Sequence, residues 1–204
     1  MIKFELCDKN NIEDTANLFY SMSPAGWVRA SAPCFKKNLL HALATDARGT
    51  LVVANDADVP IQIGYVAAIE YPVFFWGKII LDHPLSFLSA TLPYILKKLR
   101  GIMLLQPKTY SENSPPRFQW SRNNERTARV LFIGVLEKYR GQAVGTRLYN
   151  ALFKELAKKG CEILEAHIDA GNDASLKLHA QAGFSMTKCA MGEFLAHHRV
   201  NHRE

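Results

Sequence analysis

Apolar and polar residues alternate with two distinct periodicities along this chain, one typical of strands and one typical of helices. Alternating or continuous apolar runs predict strands at residues 2–6, 50–54, 62–70, 129–135 and 162–169, with one or two more after Phe184. Apolar residues spaced three or four apart predict helices after Asn10 or Asn11, from Ser31 to Leu43, at 142–159 and at 173–181. This order predicts an α+β fold, and 204 residues suit one domain, 1–204.

Residues 73–128 form an insertion between the third and fourth predicted strands. A helical stripe within it ends at Gly101, and a proline-containing loop follows at 106–127. Its stripe residues are Leu88, Leu92, Ile95, Leu96 and Leu99. Three interpretations stay open: a lid over a binding site, a dimerisation face that would make a homodimer, or one more core helix. Residues 197–204 are predicted to be a solvated polar tail.

Composition narrows the class of protein. Hydrophobic residues make up 48% and charged residues 22%, as in ordinary globular domains. No apolar run approaches the ~20 residues of a membrane span, and the N-terminus lacks the pattern of a signal peptide. Four cysteines without metal-binding spacing, Cys7, Cys34, Cys161 and Cys189, indicate reduced packing thiols and a cytoplasmic protein.

The net charge of +6 and pI of about 9.2 raise the question of nucleic-acid binding. The basic residues are dispersed, which disfavours that class of protein. A modest positive balance fits an anionic small ligand equally well.

Residues 130–145 carry the main chemical signal. An apolar strand is followed by a turn of small residues and then by an amphipathic helix. The first N–H groups of a helix lack internal partners, and the helix dipole favours negative charge there. Small side chains at Gly141, Ala143 and Gly145 leave the main chain accessible, so this corner is predicted to bind a phosphate group.

Two motifs identify a family by resemblance. The turn Arg140-Gly141-Gln142-Ala143-Val144-Gly145 resembles the pyrophosphate loop Arg/Gln-x-x-Gly-x-Gly/Ala of the GCN5-related N-acetyltransferase (GNAT) superfamily, with alanine at the first glycine. Ala143 fits if its φ is negative. The segment 172–184 resembles the family's Asn-x-x-(Ala/Ser)-x-x-Leu-Tyr-x-x-x-Gly-Phe, with His179 at the tyrosine.

The resemblance implies a mixed, mostly antiparallel sheet, splayed between its fourth and fifth strands and flanked by helices. It implies acetyl-CoA, or another acyl-CoA, as co-substrate, with no metal. The pantetheine arm would enter the gap between the splayed strands, and the loop would bind the pyrophosphate. The implied binding residues are Ile133, Gly134, Val135, Arg140, Gly141, Gln142, Ala143, Val144, Gly145, Thr146 and Asn172.

The resemblance also implies catalytic positions. His179, where the family has its tyrosine, is the candidate acid for the leaving thiolate, although a packing histidine is the alternative. Glu165 and His167 share one face of a predicted strand and are candidate bases, as is Glu70 at the end of the third strand. Solvated strand-face charges and a water-mediated proton transfer are the alternatives.

These observations predict an acyl-CoA-dependent N-acyltransferase, most simply an acetyltransferase, acting on a small-molecule primary amine. The positive net charge of the protein favours an anionic acceptor such as a nucleotide-linked amino sugar and disfavours polyamines, which are cations. Peptide N-termini and aminoglycosides stay open. The alternative is a module of the same fold that binds acyl-CoA without turnover. No nucleic acid and no membrane are expected as partners.

Overall fold

The computed structural model describes residues 1–22, 33–59, 61–85, 87–88, 92, 126–189 and 192–200. The strands are β1 (Ile2–Leu6), β2 (Gly49–Asp56), β3 (Ile61–Glu70), β4 (Thr127–Val135), β5 (Ile163–Asp169), β6 (Ser185–Lys188) and β7 (Glu193–Arg199). The helices are α1 (Ile12–Met22), α2 (Pro33–Thr45), α3 (Pro72–Asp82), α4 (Val144–Lys158) and α5 (Asp173–Gln181), with a short 3₁₀ turn at Glu137–Tyr139.

The strands form one sheet in the order β1-β2-β3-β4-β5-β7-β6. Neighbouring strands are antiparallel except β4 and β5, which are parallel because α4 carries the chain from one to the other. This is the mixed, mostly antiparallel sheet that the family resemblance implied.

Helices cover both faces of this sheet, and each face has its own hydrophobic core. On the face that we call the α4 face, Leu148, Leu152 and Leu156 pack on strand residues that include Leu164 and Ala166. On the opposite face, the α1 face, helices α1, α2 and α3 pack on strand residues that include Leu51, Val53, Tyr65, Ile69 and Phe132. Alternation along each strand therefore assigns every strand side chain to one face.

Local sequence signals set several boundaries. The side chain of Asn172 accepts a hydrogen bond from Ser175 N at 3.1 Å, which caps α5 at the predicted position. The predicted Asn11 lies at the N-cap of α1, because its backbone oxygen accepts a hydrogen bond from Thr15 N at 3.1 Å. The side chain of Asp8 supports this turn, since its Oδ1 accepts hydrogen bonds from the backbone N–H groups of Asn10 and Asn11 at 2.9 Å. Gly160, with a φ of 74°, follows the end of α4.

The C-terminal strand and helix α3 differ from what the sequence predicted. The predicted polar tail begins too early, because residues up to Arg199 belong to β7, where they pair with β5. Helix α3 was not predicted from its aromatic and apolar run, although Pro72 suits the first turn of a helix. Most of the predicted stripe at 88–101 and the loop at 106–127 lie outside the described residues.

Burial accounts for two of the cysteines. Cys7 and Cys161 are buried free thiols. Burial raises the pKa of both thiols, that of Cys161 to about 11, so they stay protonated at neutral pH and act as packing groups. Within the described ranges, no helix has the length and apolar character needed to cross a bilayer, and no group of His, Cys, Asp or Glu is placed to hold a metal.

Candidate functional site

A gap opens between β4 and β5 because the two strands pair over only a short stretch. The paired residues are Thr127, Ala128 and Arg129 of β4 with Ile163, Leu164 and Glu165 of β5. Beyond this stretch β4 stays hydrogen-bonded to β3 and β5 stays hydrogen-bonded to β7, so they diverge. We call the space between residues 130–135 and 166–169 the gap, and its closed end at Arg129 and Glu165 the apex.

The backbone of β4 presents polar groups to this gap. Leu136 N–H donates to Ile63 O at 2.8 Å, so the main chain at Leu136 faces β3. Alternation then directs the N–H and C=O groups of Ile133 and Val135 away from β3, into the gap. The Val135 oxygen accepts a hydrogen bond from Arg140 Nε at 3.1 Å. Ile133 and Val135, which the family resemblance implied as binding residues, thus have main-chain groups that face the gap.

A β-bulge lies between the apex and this stretch. Ala67 pairs with Phe132 and Ala68 pairs with Val130, so Leu131 has no partner on β3. A bulge bends its strand and re-aims the neighbouring groups. It therefore helps β4 diverge from β5 just beyond the apex.

The open end of the gap leads into a loop at residues 140–146, which we call the anion loop. Among the described residues, none accepts a hydrogen bond from the backbone N–H groups of residues 141–146. The first closing bond of the helix runs from Arg147 N to Ala143 O at 3.0 Å. Residues 140–143 are exposed. The loop is thus a cluster of N–H donors without acceptors in the described protein at a helix N-terminus, which is favourable for a phosphate.

Ala143 does not have the negative φ that the sequence analysis required of it. Its φ is 57° and its ψ is 15°, in the left-handed region. Gly141 is also left-handed, with a φ of 77°. A side chain at this φ costs about 1–2 kcal/mol, and a glycine would avoid that cost. The strain at Ala143 belongs to the turn that exposes the donors.

We expect Ala143→Gly to stabilise the folded protein by up to about 1 kcal/mol. Relief of the left-handed strain exceeds the extra entropy that a glycine gives the unfolded chain, about 0.4–1 kcal/mol. The matched control Gln142→Gly should destabilise it, because Gln142 has no left-handed φ and its side chain bonds to Lys138 O at 3.1 Å. Urea unfolding of both variants measures the difference in the free energy of unfolding. Equal losses of stability would show that Ala143 is not strained.

Packing against α5 requires a small residue at Gly145. A Cβ at this position would lie 2.8 Å from Leu178 Cδ1 of α5. Glycine therefore lets α4 approach α5 as well as leaving its N–H accessible. A large residue at 145 disturbs helix packing and loop together.

The apex carries an ion pair. Arg129 of β4 and Glu165 of β5 are register neighbours, and Arg129 Nη2 lies 3.4 Å from Glu165 Oε2. Both side chains are largely buried, on the α1 face of the sheet. Glu165, a candidate base from the sequence, thus lies at the closed end of the gap, where its carboxylate pairs with an arginine that sequence patterns did not single out.

His167 lies farther along β5, beside the open gap and on the same face as Glu165. Its side chain is about one-third exposed, at 35%, and its Nδ1 lies 3.8 Å from Glu193 Oε2 of β7. Burial and then the nearby Arg129 cation lower the pKa of His167, against the opposing effects of Glu193 and Glu165. The imidazole is therefore neutral at pH 7, with a lone pair that can accept a proton.

His179 lies on the opposite face, in the α4-side core. Its Nδ1 lies 2.7 Å from the Ser175 backbone oxygen, which only accepts, so Nδ1 carries the proton. Its Nε2 then accepts a hydrogen bond from the Tyr149 hydroxyl at 2.6 Å. Burial lowers the pKa of His179, against the Ser175 bond. Both ring nitrogens serve internal contacts, so an acid role requires the ring to release Tyr149.

Glu70 is separated from the other candidates. It pairs in register with Ala128, which lies on the α4 face, whereas Glu165 lies on the α1 face. It is also beyond the closed end of the gap, and Arg126 Nη2 lies 3.2 Å from its Oε2. The structure brings Glu165 and His167 together and leaves Glu70 in a separate ion pair.

Comparison with known proteins identifies the fold and the motifs. The model of the Acetyltransferase (GNAT) family matches residues 101–184, which include the anion loop and the second motif. Arabidopsis thaliana NAA60, solved in complex with acetyl-CoA, superposes with a TM-score of 0.61 over 98% of this chain and 99% of that chain, at 16% identity. The chain has the GNAT fold, and its residues 101–184 match the model of that family.

Other GNAT structures agree with this assignment. The GNAT domain of S. lividans PAT has a TM-score of 0.60 at 12% identity, over 97% of this chain and 90% of that chain. At such identities the likeness shows the fold. A mycothiol acetyltransferase from Corynebacterium aurimucosum is 30% identical over 59 residues, which are 29% of this chain and 19% of that protein. The matched stretch thus spans about a fifth of that relative.

Sequence patterns did not single out three residues that contact the candidate residues. They are Arg129, which contacts Glu165, Tyr149, which contacts His179, and Tyr65, which pairs with Gly134. Their sequence signal is weak, because each contact arises only through strand register or helix packing. Asn172, predicted to bind the cofactor, uses its side chain to cap α5.

Proposed function

We propose that this chain transfers an acetyl group from acetyl-CoA to a primary amine. The observation that carries the proposal is the continuity of the gap with the anion loop. An extended arm in the gap and a diphosphate on the loop would belong to one molecule, and CoA has both parts. Two solved relatives support the choice: Arabidopsis thaliana NAA60 and Salmonella typhimurium yncA were solved with acetyl-CoA.

The backbone would hold most of the co-substrate. The N–H groups of residues 141–146 suit the diphosphate, with help from the helix dipole of α4. Ile133 and Val135 suit the amides of the arm, because their free main-chain groups can pair with it as with a strand. Backbone N–H groups that face the gap can also stabilise the oxyanion of the thioester carbonyl, an effect of about 3 kcal/mol per donor.

His167 is the proposed general base. As the neutral amine attacks the thioester carbon, the new C–N bond forms, the C–S bond breaks and the amine loses a proton. His167 can take that proton directly or through a water molecule, since its lone pair is available at neutral pH. The ion pair between Arg129 and Glu165 links β4 to β5 at the apex, two residues from His167 along β5.

The proton for the leaving thiolate comes from the other face in this proposal. His179 and Tyr149 lie on the α4 side, whereas His167 lies on the α1 side. An arm in the gap would pass between them. His179 can act as the acid only after the hydrogen bond between its Nε2 and the Tyr149 hydroxyl breaks and Nε2 binds a proton from solvent. Glu70 has no role in this mechanism.

The acceptor is proposed to be a small-molecule primary amine, with a nucleotide-linked amino sugar as the specific class. The net charge of +6 supports an anionic acceptor. An acyl-CoA-binding module without turnover is the alternative, and the neutral His167 beside the gap favours the enzyme over it.

Thiol release from acetyl-CoA tests the proposal with a panel of amines. The panel contains a UDP-linked amino sugar, peptides with free N-termini, aminoglycosides, monoamines and polyamines. We expect release of free CoA with at least one primary amine, and fastest with the UDP-linked amino sugar. Acetyl-CoA binding without turnover on any member would favour the binding module, and faster turnover of peptides would replace the amino-sugar assignment.

A further inference from the structure

Tyr65 of β3 crosses onto β4 at a position where β4 has no side chain. Tyr65 and Gly134 are direct register partners. A Cβ at Gly134 would lie 2.8 Å from both Cζ and the hydroxyl oxygen of Tyr65, so the hydroxyl end of the ring rests on the Gly134 main chain. At this level β5 has already left β4. The phenol therefore extends from β3 toward the edge of β4 that borders the gap.

The Tyr65 hydroxyl has no hydrogen-bond partner among the described residues, although the side chain is only 1% exposed. Its ring packs against Phe19 and Phe132, with centroid distances of 5.6 Å and 5.7 Å. Burial raises the pKa of Tyr65 far above its usual range, so the hydroxyl stays protonated and can donate. The hydroxyl oxygen is not among the fully buried unpartnered polar atoms of the described residues, so it keeps contact with solvent and is open to a partner from outside the protein.

The level of Gly134 along the gap indicates which part of a ligand lies nearby. Gly134 is next to Val135, where β4 ends and the chain turns toward the anion loop. The apex at Arg129 is five residues away, or about 16 Å at the rise of a strand. A molecule that extends from the loop into the gap therefore passes Gly134 soon after it leaves the loop and before it approaches the apex.

We propose that the Tyr65 hydroxyl donates a hydrogen bond to an oxygen of the pantetheine arm of acyl-CoA. This inference rests on the proposed function, because it assumes that the arm occupies the gap. Tyr65 is then a binding residue for the co-substrate, and Gly134 is glycine because the phenol needs the space above it. The main-chain groups of Ile133 and Val135 would form hydrogen bonds to the same arm in the plane of the sheet.

Tyr65→Phe tests the inference, since it removes the hydroxyl and keeps the ring. Isothermal titration is performed with CoA, with acetyl-CoA and with 3′-phosphoadenosine 5′-diphosphate, which lacks the arm. We expect affinity for CoA and acetyl-CoA to fall about three- to tenfold, the usual effect of one hydrogen bond. Affinity for the nucleotide without the arm should stay unchanged. Tyr71→Phe, at an exposed position just past the other end of β3, is the matched control.

Thermal unfolding without ligand gives a second readout. Replacing a tyrosine by phenylalanine destabilises the folded protein when the hydroxyl forms a hydrogen bond within the protein. Replacing a tyrosine whose hydroxyl has no such bond does not. Tyr65→Phe should therefore unfold at the same temperature as the wild type or higher.

Equal CoA affinity in Tyr65→Phe and wild type would overturn the role of Tyr65 and leave the proposed function intact. An equal loss for the nucleotide without the arm, or a rise only in the acceptor KM, would overturn it too. Failure of the wild-type protein to bind CoA would instead count against the proposed function.

Discussion

Gln142→Glu is expected to weaken acetyl-CoA binding by about 30- to 100-fold. Gln142 is exposed in the anion loop, and the substitution keeps its size while adding a negative charge among the N–H donors. A unit charge near a diphosphate at the protein surface costs on the order of 2–3 kcal/mol. Isothermal titration at low ionic strength measures the loss.

The neutral variant Gln142→Ala is the control for this effect. It removes the same hydrogen bond to Lys138 O and adds no charge, so its affinity should stay within about twofold to threefold of wild type. The penalty of Gln142→Glu should also shrink as salt is added, because the charges are exposed. Equal affinities for the two variants would place the diphosphate elsewhere. Gly145→Glu should also abolish binding, but its contact with Leu178 makes it a less specific test.

His167→Gln is expected to lower kcat by about 10²- to 10³-fold and to leave acetyl-CoA affinity unchanged. Loss of a positioned base costs on this order, whereas the co-substrate is held mainly by the backbone. His197→Gln is the control, since His197 is exposed on β7 and is the register partner of Glu165. Steady-state kinetics on the accepted amine measures both variants. An unchanged kcat in His167→Gln would remove its assignment as base.

The pH dependence of kcat follows from the direction of the shift at His167. Burial and Arg129 lower the pKa of His167, so its basic form persists to lower pH than that of an ordinary histidine. As the pH is lowered, the loss of rate that His167 causes should therefore begin only below about pH 6.5. His167→Gln should lose this acidic limb. A fall in rate that begins above that pH would contradict the assignment.

The parts of the fold that follow local rules could be predicted from the sequence. Strand β1 and helix α5 have the predicted bounds, and the Asn172 cap was predicted from its residue type and place. The strand, turn and helix of the anion loop also follow from spacing and small residues. The divergence of β4 from β5 was implied only by the family resemblance, because periodicity contains no information on how far two strands pair.

Features that depend on register or packing could not be predicted. The pair Arg129–Glu165 exists because two strands meet at that residue, and the bulge at Leu131 shifts a ladder by one position. Helix α3 has an apolar run without a clear period, which resembles a buried strand. The left-handed φ of Ala143 contradicts the preference of alanine, and only the geometry of the whole turn imposes it.

The crystal structure of the protein with acetyl-CoA tests the central claim most directly. We expect the diphosphate to lie on the N–H groups of residues 141–146 and the arm to lie between β4 residues 130–135 and β5 residues 166–169. We also expect the thioester to lie near the apex at Arg129 and Glu165. Acetyl-CoA bound away from the gap, with β4 and β5 closed against each other, would contradict the account.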